Sequence, residues 1–175
     1  MSRNRKIVLV IHNVRSAHNV GSLIRTADGL DVEKVYLTGY TPYPEAKNDE
    51  RLPHIRQRMA QQIHKTALGA EERLDWQHID NIDTCLQIFN QDGYLIAALE
   101  QTDRAKDLNA FRPVERMALL VGNEVSGLDE DTLSKALVHL RIPMLGQKES
   151  FNVAVAAAMA LYHLRGDYPL RASKP

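Results

Sequence analysis

Residues 6–11, Lys-Ile-Val-Leu-Val-Ile, form an unbroken run of β-branched and leucine side chains after the first lysine. A run that does not alternate predicts a strand buried on both faces, as in a parallel sheet. Shorter apolar runs follow at Val35-Tyr36-Leu37, Tyr94 to Leu99, Met117 to Val121 and, more weakly, Leu140 to Ile142. Helical periodicity fills the stretches between them, at about 20–30, 55–68, 82–91, 129–137 and 151–165. Strands and helices therefore alternate, which predicts an α/β class with a mostly parallel sheet flanked by helices. The stretch from Gly39 to Pro53 carries Pro42, Pro44 and Pro53 among charges, breaks both periods and reads as a long exposed loop. The last helix is apolar on every face from Val153 to Leu161, so it must be covered by the core or by a partner subunit.

Composition narrows the class. At 175 residues with no repeat or linker, the chain reads as a single domain over 1–175 with its core at about 6–165. Its 44% hydrophobic and 25% charged residues are those of a packed domain and not of a disordered chain. Lys plus Arg equals Asp plus Glu at 22 each, so no global field draws the protein onto a polyanion and any such site must be local. Cys85, the single cysteine, excludes an intrachain disulfide and sits on the apolar side of a helix as buried filler. The first apolar run stops at His12 with no cleavage site after it, and no run approaches ~18 residues, which points to a cytoplasmic protein without a membrane span. The seven histidines show no ligand spacing, so metal chemistry is not expected. Three-glycine dinucleotide loops, phosphate loops ending in Gly-Lys-Ser/Thr and G-x-S-x-G elbows are all missing, which weighs against dehydrogenases, nucleotide hydrolases and serine hydrolases.

Three polar loops remain, each following a strand. The first runs from Asn13 to Asp28 and holds Arg15, Ser16, His18, Asn19, Gly21 and Arg25. Residues 1–27 carry five basic side chains and no acidic one. Asn19 can cap the helix, Gly21 admits a ligand or another backbone, and Arg25 can grip a phosphate or donate to a ribose oxygen. An ordinary cap with Arg25 in a surface ion pair explains the same residues. The second loop is Gly122 to Leu128, with the Glu124 carboxylate and a cap at Ser126 or Asp129. The third is Ile142 to Asn152, with Ser150 and Asn152 both ahead of the apolar helix. In a parallel sheet these three loops converge at the carboxyl ends of the strands, where ligands bind.

In this order, N-x-R-S-x-x-N-V-G-S-x-x-R-T-A-D, V-G-N-E-V-S-G-L and I-P-M-L-G-x-x-x-S-F-N-V-A-V-A-A-A resemble the three motifs of the TrmH (SpoU) family, in the SPOUT superfamily of RNA methyltransferases. Phe151 stands where many relatives have Leu. The resemblance implies a C-terminal deep trefoil knot, a homodimer through the knot region, S-adenosylmethionine as cofactor, and methylation of a ribose 2′-hydroxyl in RNA. It places Asn19, Arg25, Glu124, Ser150 and Asn152 at active-site positions, and Leu99, Gly122, Ile142, Met144 and Ser150 where loops hold the cofactor.

That chemistry needs positioning and proton removal, with neither a covalent intermediate nor a metal. An arginine is too basic to serve readily as the base. The expectation is that Arg25 orients an RNA phosphate and stabilises the developing alkoxide while the proton leaves to phosphate or water. RNA, tRNA before rRNA, would be gripped by Arg3, Arg5, Lys6, Arg51, Arg56, Arg58, Arg165, Arg171 and Lys174, each of which is equally read as solvated surface charge. The alternatives are an RNA-binding or ribosome-assembly protein of the same fold without turnover, and a base methyltransferase of the same superfamily.

Overall fold

A computed structural model describes residues 5–166. Seven parallel strands form one sheet in the order β3-β2-β1-β6-β4-β7-β5. They are β1 (Lys6–His12), β2 (Lys34–Thr38), β3 (Trp76–Ile79), β4 (Leu95–Leu99), β5 (Lys106–Asp107), β6 (Arg116–Val121) and β7 (Val138–Arg141). The helices are α1 (Ala17–Gly29), α2 (Pro53–Ala67), α3 (Ala70–Arg73), α4 (Ile82–Gln91), α5 (Glu130–Lys135) and α6 (Val153–Arg165), with a 3-10 turn at Leu108–Ala110.

The run at 6–11 is the central strand, hydrogen-bonded to β2 on one side and β6 on the other. Because side chains alternate across a strand, it feeds two cores. Ile7, Leu9 and Ile11 pack with Leu23, Ile24, Ile63, Leu161 and Leu164 from α1, α2 and α6. Val8 and Val10 pack with Leu86, Phe89 and Leu133 from α4 and α5. Cys85 lies in that second core, and burial pushes its thiol up to about 12, so it is inert filler as expected.

Two strands, β3 and β5, escape the sequence pattern. Both lie at edges of the sheet, where one flank is open and Gln77 and His78 are tolerated without a buried run. The Pro-rich loop is less open than expected. Arg51 pairs with Asp49, donates to the carbonyls of Tyr43 at 3.1 Å and Pro44 at 3.0 Å, and stacks over the Tyr43 ring at 3.5 Å. That ion pair holds the Asp49 carboxyl well below the usual range.

The all-round apolar helix α6 is only partly covered. Ala157, Ala160, Leu161 and Leu164 are buried, whereas Val155 is 49% and Tyr162 60% exposed on the outward side. The glycine at 21 serves helix packing and not a ligand. A Cβ there would lie 2.3 Å from the Ile63 carbonyl oxygen, so α1 and α2 cross in near backbone contact.

Candidate active site

The three loops meet at the carboxyl ends of β1, β6, β4 and β7. Helix α1 starts two residues earlier than Asn19 because Ser16 is its cap, with Ser16 Oγ accepting the Asn19 N–H at 3.2 Å. Asn19 is therefore not the cap. It lies inside the first turn, where its side chain is free to act elsewhere.

It donates from Nδ2 to Glu124 Oε1 at 2.9 Å and accepts at Oδ1 from Asn152 Nδ2 at 3.2 Å. Glu124 also accepts the backbone N–H groups of Arg15 and Ser16, each at 3.0 Å. Burial raises the Glu124 carboxyl, but the hydrogen bonds from Arg15, Asn19 and Ser16 outweigh it and hold it below its ordinary value. Asn152 caps α6, accepting the Ala154 N–H at 2.9 Å. One carboxylate thus ties the starts of α1 and α6 together through two amides. Asp129 caps α5.

Beside this chain of bonds lies an open cleft with a cavity volume of about 120 Å3, lined by Leu99, Gly122, Glu124, Ile142 and Ser150 among the expected residues. Its walls mix Val121, Phe151, Val153 and Ala156 with loop backbone. A Cβ on Gly122 would come within 2.7 Å of the Gly127 carbonyl oxygen and the Leu128 nitrogen, so only glycine fits. Residues 143–151 make no hydrogen bond among the described residues, leaving their peptide groups for solvent or a ligand.

Two expected residues stand apart. Met144 is half-exposed and outside the cleft lining, and Arg25 points from the exposed side of α1. The Arg25 side chain has no ion pair or hydrogen bond among the described residues, so the surface ion pair that would explain it away is not formed.

Four contributors were not expected. Asn123 pins the second loop, donating to the Asn13 carbonyl at 3.0 Å and the Tyr40 hydroxyl at 3.1 Å. Glu100 accepts the Leu128 N–H at 3.1 Å, and Gln101 donates to the Ile142 carbonyl at 2.9 Å. His12 lies buried beneath the site, accepting from Asn13 at Nε2 and donating from Nδ1 to Thr38 Oγ1 at 2.8 Å. Burial lowers its pKa while Asp129 works against that. Only Asn123 lies inside one of the three motifs, where a polar residue between two glycines marks the turn; the other three leave no signal in the sequence.

The basic residues expected to grip RNA are mostly engaged. Arg51 braces its loop, and Arg56 pairs with Glu45 at 3.1 Å. Lys6 pairs with Glu33 at 3.5 Å, Arg165 with Asp31 at 2.5 Å, and Arg5 donates to the Arg165 carbonyl at 2.8 Å. Arg58 is exposed. Arg3, Arg171 and Lys174 lie outside the described residues, as does the tail beyond Gly166.

Among curated proteins, the chain is 31% identical over 167 residues to the 23S rRNA (guanosine(2553)-2′-O)-methyltransferase RlmP of Bacillus subtilis, covering 91% of this chain and 58% of that one. The chain spans 57 to 58% of the length of the curated relatives it matches. A structure described as giving insights into 2′-OH methylation of C/U34 on tRNA superposes with a TM-score of 0.71 at 25% identity, covering 92% of this chain and 95% of that one. An AdoMet-bound rRNA methyltransferase from Sinorhizobium meliloti shares the fold with a TM-score of 0.76 at 21% identity, covering 94% of this chain and 57% of that one. The SpoU rRNA Methylase family model matches residues 6–162, a span that takes in all three loops of the cleft, and the chain belongs to that family.

Proposed function

We propose that the cleft binds S-adenosylmethionine and that the chain methylates a ribose 2′-hydroxyl of structured RNA in the cytoplasm, with tRNA preferred over rRNA. The observation that carries this reading is the bonded set Glu124, Asn19 and Asn152 set at the rim of a cleft whose third wall has unpaired peptide groups.

The residues present suit the cofactor. Leu99, Gly122, Ile142 and Ser150 would hold it, with Met144 brought in by the third loop, and apolar walls beside free peptide groups match a ligand with both an aromatic base and charged ends. The bound group supplies a methyl already activated on a sulfonium.

What remains for the protein is to place a weak nucleophile and remove its proton. Glu124 is ill suited to take that proton, since both oxygens already accept N–H groups and its pKa is depressed. It serves as the anchor that fixes Asn19 and the first turn of α1. Ser150 and Asn152 orient the ribose at the mouth of the cleft. Arg25, charged and unpaired, grips the neighbouring phosphate and stabilises the developing alkoxide, with the proton leaving to phosphate or water.

A homodimer through the outward side of α6 would cover Val155 and Tyr162, and a trefoil knot at the C-terminal segment would follow the family. Two features of the chain path support the knot. Strand β7 lies outside β4, while the chain after it returns to pack α6 on α1, β4 and β6.

Transfer of labelled methyl from S-adenosylmethionine to fractionated tRNA and rRNA tests the reading. Label in a nuclease-resistant 2′-O-methyl dinucleotide, lost in Arg25→Ala, is the expected result. Cofactor binding without transfer to any RNA fraction would favour a binding protein of the same fold. If Arg25 acts as a fixed charge, Arg25→Lys keeps part of the activity with little change in pH profile.

A further inference from the structure

Far from the cleft in sequence, the turn between α2 and α3 brings three metal-ligating side chains together. Helix α2 ends at Leu68, whose left-handed backbone (φ 52°) returns its N–H to the His64 carbonyl at 2.9 Å, and Gly69 follows at φ 87°. Two successive left-handed residues fold α3 back beside the last turn of α2. His64, Glu71 and Glu72 then face one another, with one potential ligand atom from each lying within 4.8 Å of the other two.

The charge balance at this turn is incomplete. The Glu71 side chain is only 9% exposed, and its Oε1 meets His64 Nδ1 at 2.5 Å. Its Oε2 is buried with no hydrogen-bond partner. One imidazole proton can serve one oxygen, which leaves the second bare, and the Glu72 carboxylate adds further negative charge to the same cluster. Buried carboxylate oxygens are normally paired or bound to a cation. Lys65, on the same helix turn, makes no ion pair with either glutamate among the described residues. The indole of Trp76 donates to the Glu71 carbonyl at 3.0 Å and fixes the backbone that carries the ligands.

We propose that His64, Glu71 and Glu72 form a binding site for a zinc-type divalent cation that clasps α3 to the end of α2. One imidazole nitrogen with two carboxylates suits zinc and its transition-metal neighbours, whereas calcium and magnesium favour oxygen alone. Binding replaces the proton between His64 and Glu71. The two side chains then part, which His64 can do because it is 57% exposed. Water completes the coordination. The site touches none of the residues assigned to methyl transfer, so it stands or falls independently of that reading.

The test uses the untagged full chain, stripped with a chelator and titrated with zinc by calorimetry. Trp76, the single tryptophan, reports the same event by fluorescence, and cobalt(II) reports ligand geometry by its visible spectrum. One zinc per chain is expected at low micromolar concentration. His64→Ala and Glu71→Gln should each weaken binding at least ~10-fold and abolish the zinc-dependent rise in melting temperature. His64 is exposed, so its alanine variant keeps the fold, which unaltered far-UV circular dichroism checks. Absence of stoichiometric binding to the wild-type chain, or equal binding by both variants, overturns the proposal.

Discussion

Two loops wall the same cleft and are built in opposite ways. In the loop at 122–128, Asn123 and Gly127 exchange backbone hydrogen bonds at 3.1 and 3.0 Å, and the Asn123 side chain accepts from Val125 at 2.8 Å and Ser126 at 3.0 Å. Glu100 and Asn13 clamp it from outside. The loop at 142–152 has its ends held, by Gln101 on the Ile142 carbonyl and by Asn152 as a helix cap, and no hydrogen bond between them. Both expose an apolar tip, Val125 at 90% and Leu145 at 98%, so exposure does not distinguish them. Bonding does. The loop at 122–128 presents Glu124 in a fixed position before any ligand arrives, as electrostatic preorganisation requires. The loop at 142–152 has peptide groups to give to a ligand and order to gain from it.

Breaking the fixed loop should have the largest effect. Glu124→Ala leaves the Asn19 amide and the Arg15 and Ser16 N–H groups just ahead of α1 without their acceptor, and methyl transfer should fall at least ~100-fold, measured as initial rate at saturating cofactor. Gly122→Ala forces a Cβ against the Gly127 and Leu128 backbone and should cost about 1–3 kcal/mol in urea denaturation, with cofactor binding lost in parallel. Asn123→Ala removes the loop's internal acceptor and should cost about 1–2 kcal/mol, checked the same way. Leu145→Ser, in the unbonded loop, should change stability by under about 0.5 kcal/mol while leaving the fixed loop's amide exchange untouched.

The smallest effect is on pH. The native Glu124 pKa is depressed below 4.5, so its stabilising contribution is fully present above that ordinary value and fades as pH falls through the lower native one. The stability advantage of the wild type over Glu124→Gln in urea denaturation should therefore hold above about pH 5 and shrink as the pH falls below it.

The strand at 6–12, the helix at 82–91 and the convergence of three loops were legible because buried parallel strands need unbroken apolar runs and Asx or Gly residues mark their ends. Short edge strands such as β3 leave no such run. From sequence Asn19 can cap α1 as well as Ser16 can, since the two offer the same chemistry three residues apart, and only the backbone at Ser16, in the β region, decides between them. The engagement of Arg51 by Asp49 depends on a turn that proline spacing does not reveal. The grouping of His64 with Glu71 and Glu72 was hidden for the same kind of reason: two left-handed residues reverse the chain between them, so spacing along the sequence carries no ligand pattern.

Amide hydrogen exchange resolved by residue, with and without saturating S-adenosylmethionine, tests the contrast between the loops most directly. The account predicts strong slowing across 144–151 and near-identical rates across 123–128, already protected in the free protein. Exchange unchanged by cofactor in the third loop, or a loop at 123–128 that is unprotected until cofactor binds, would contradict it.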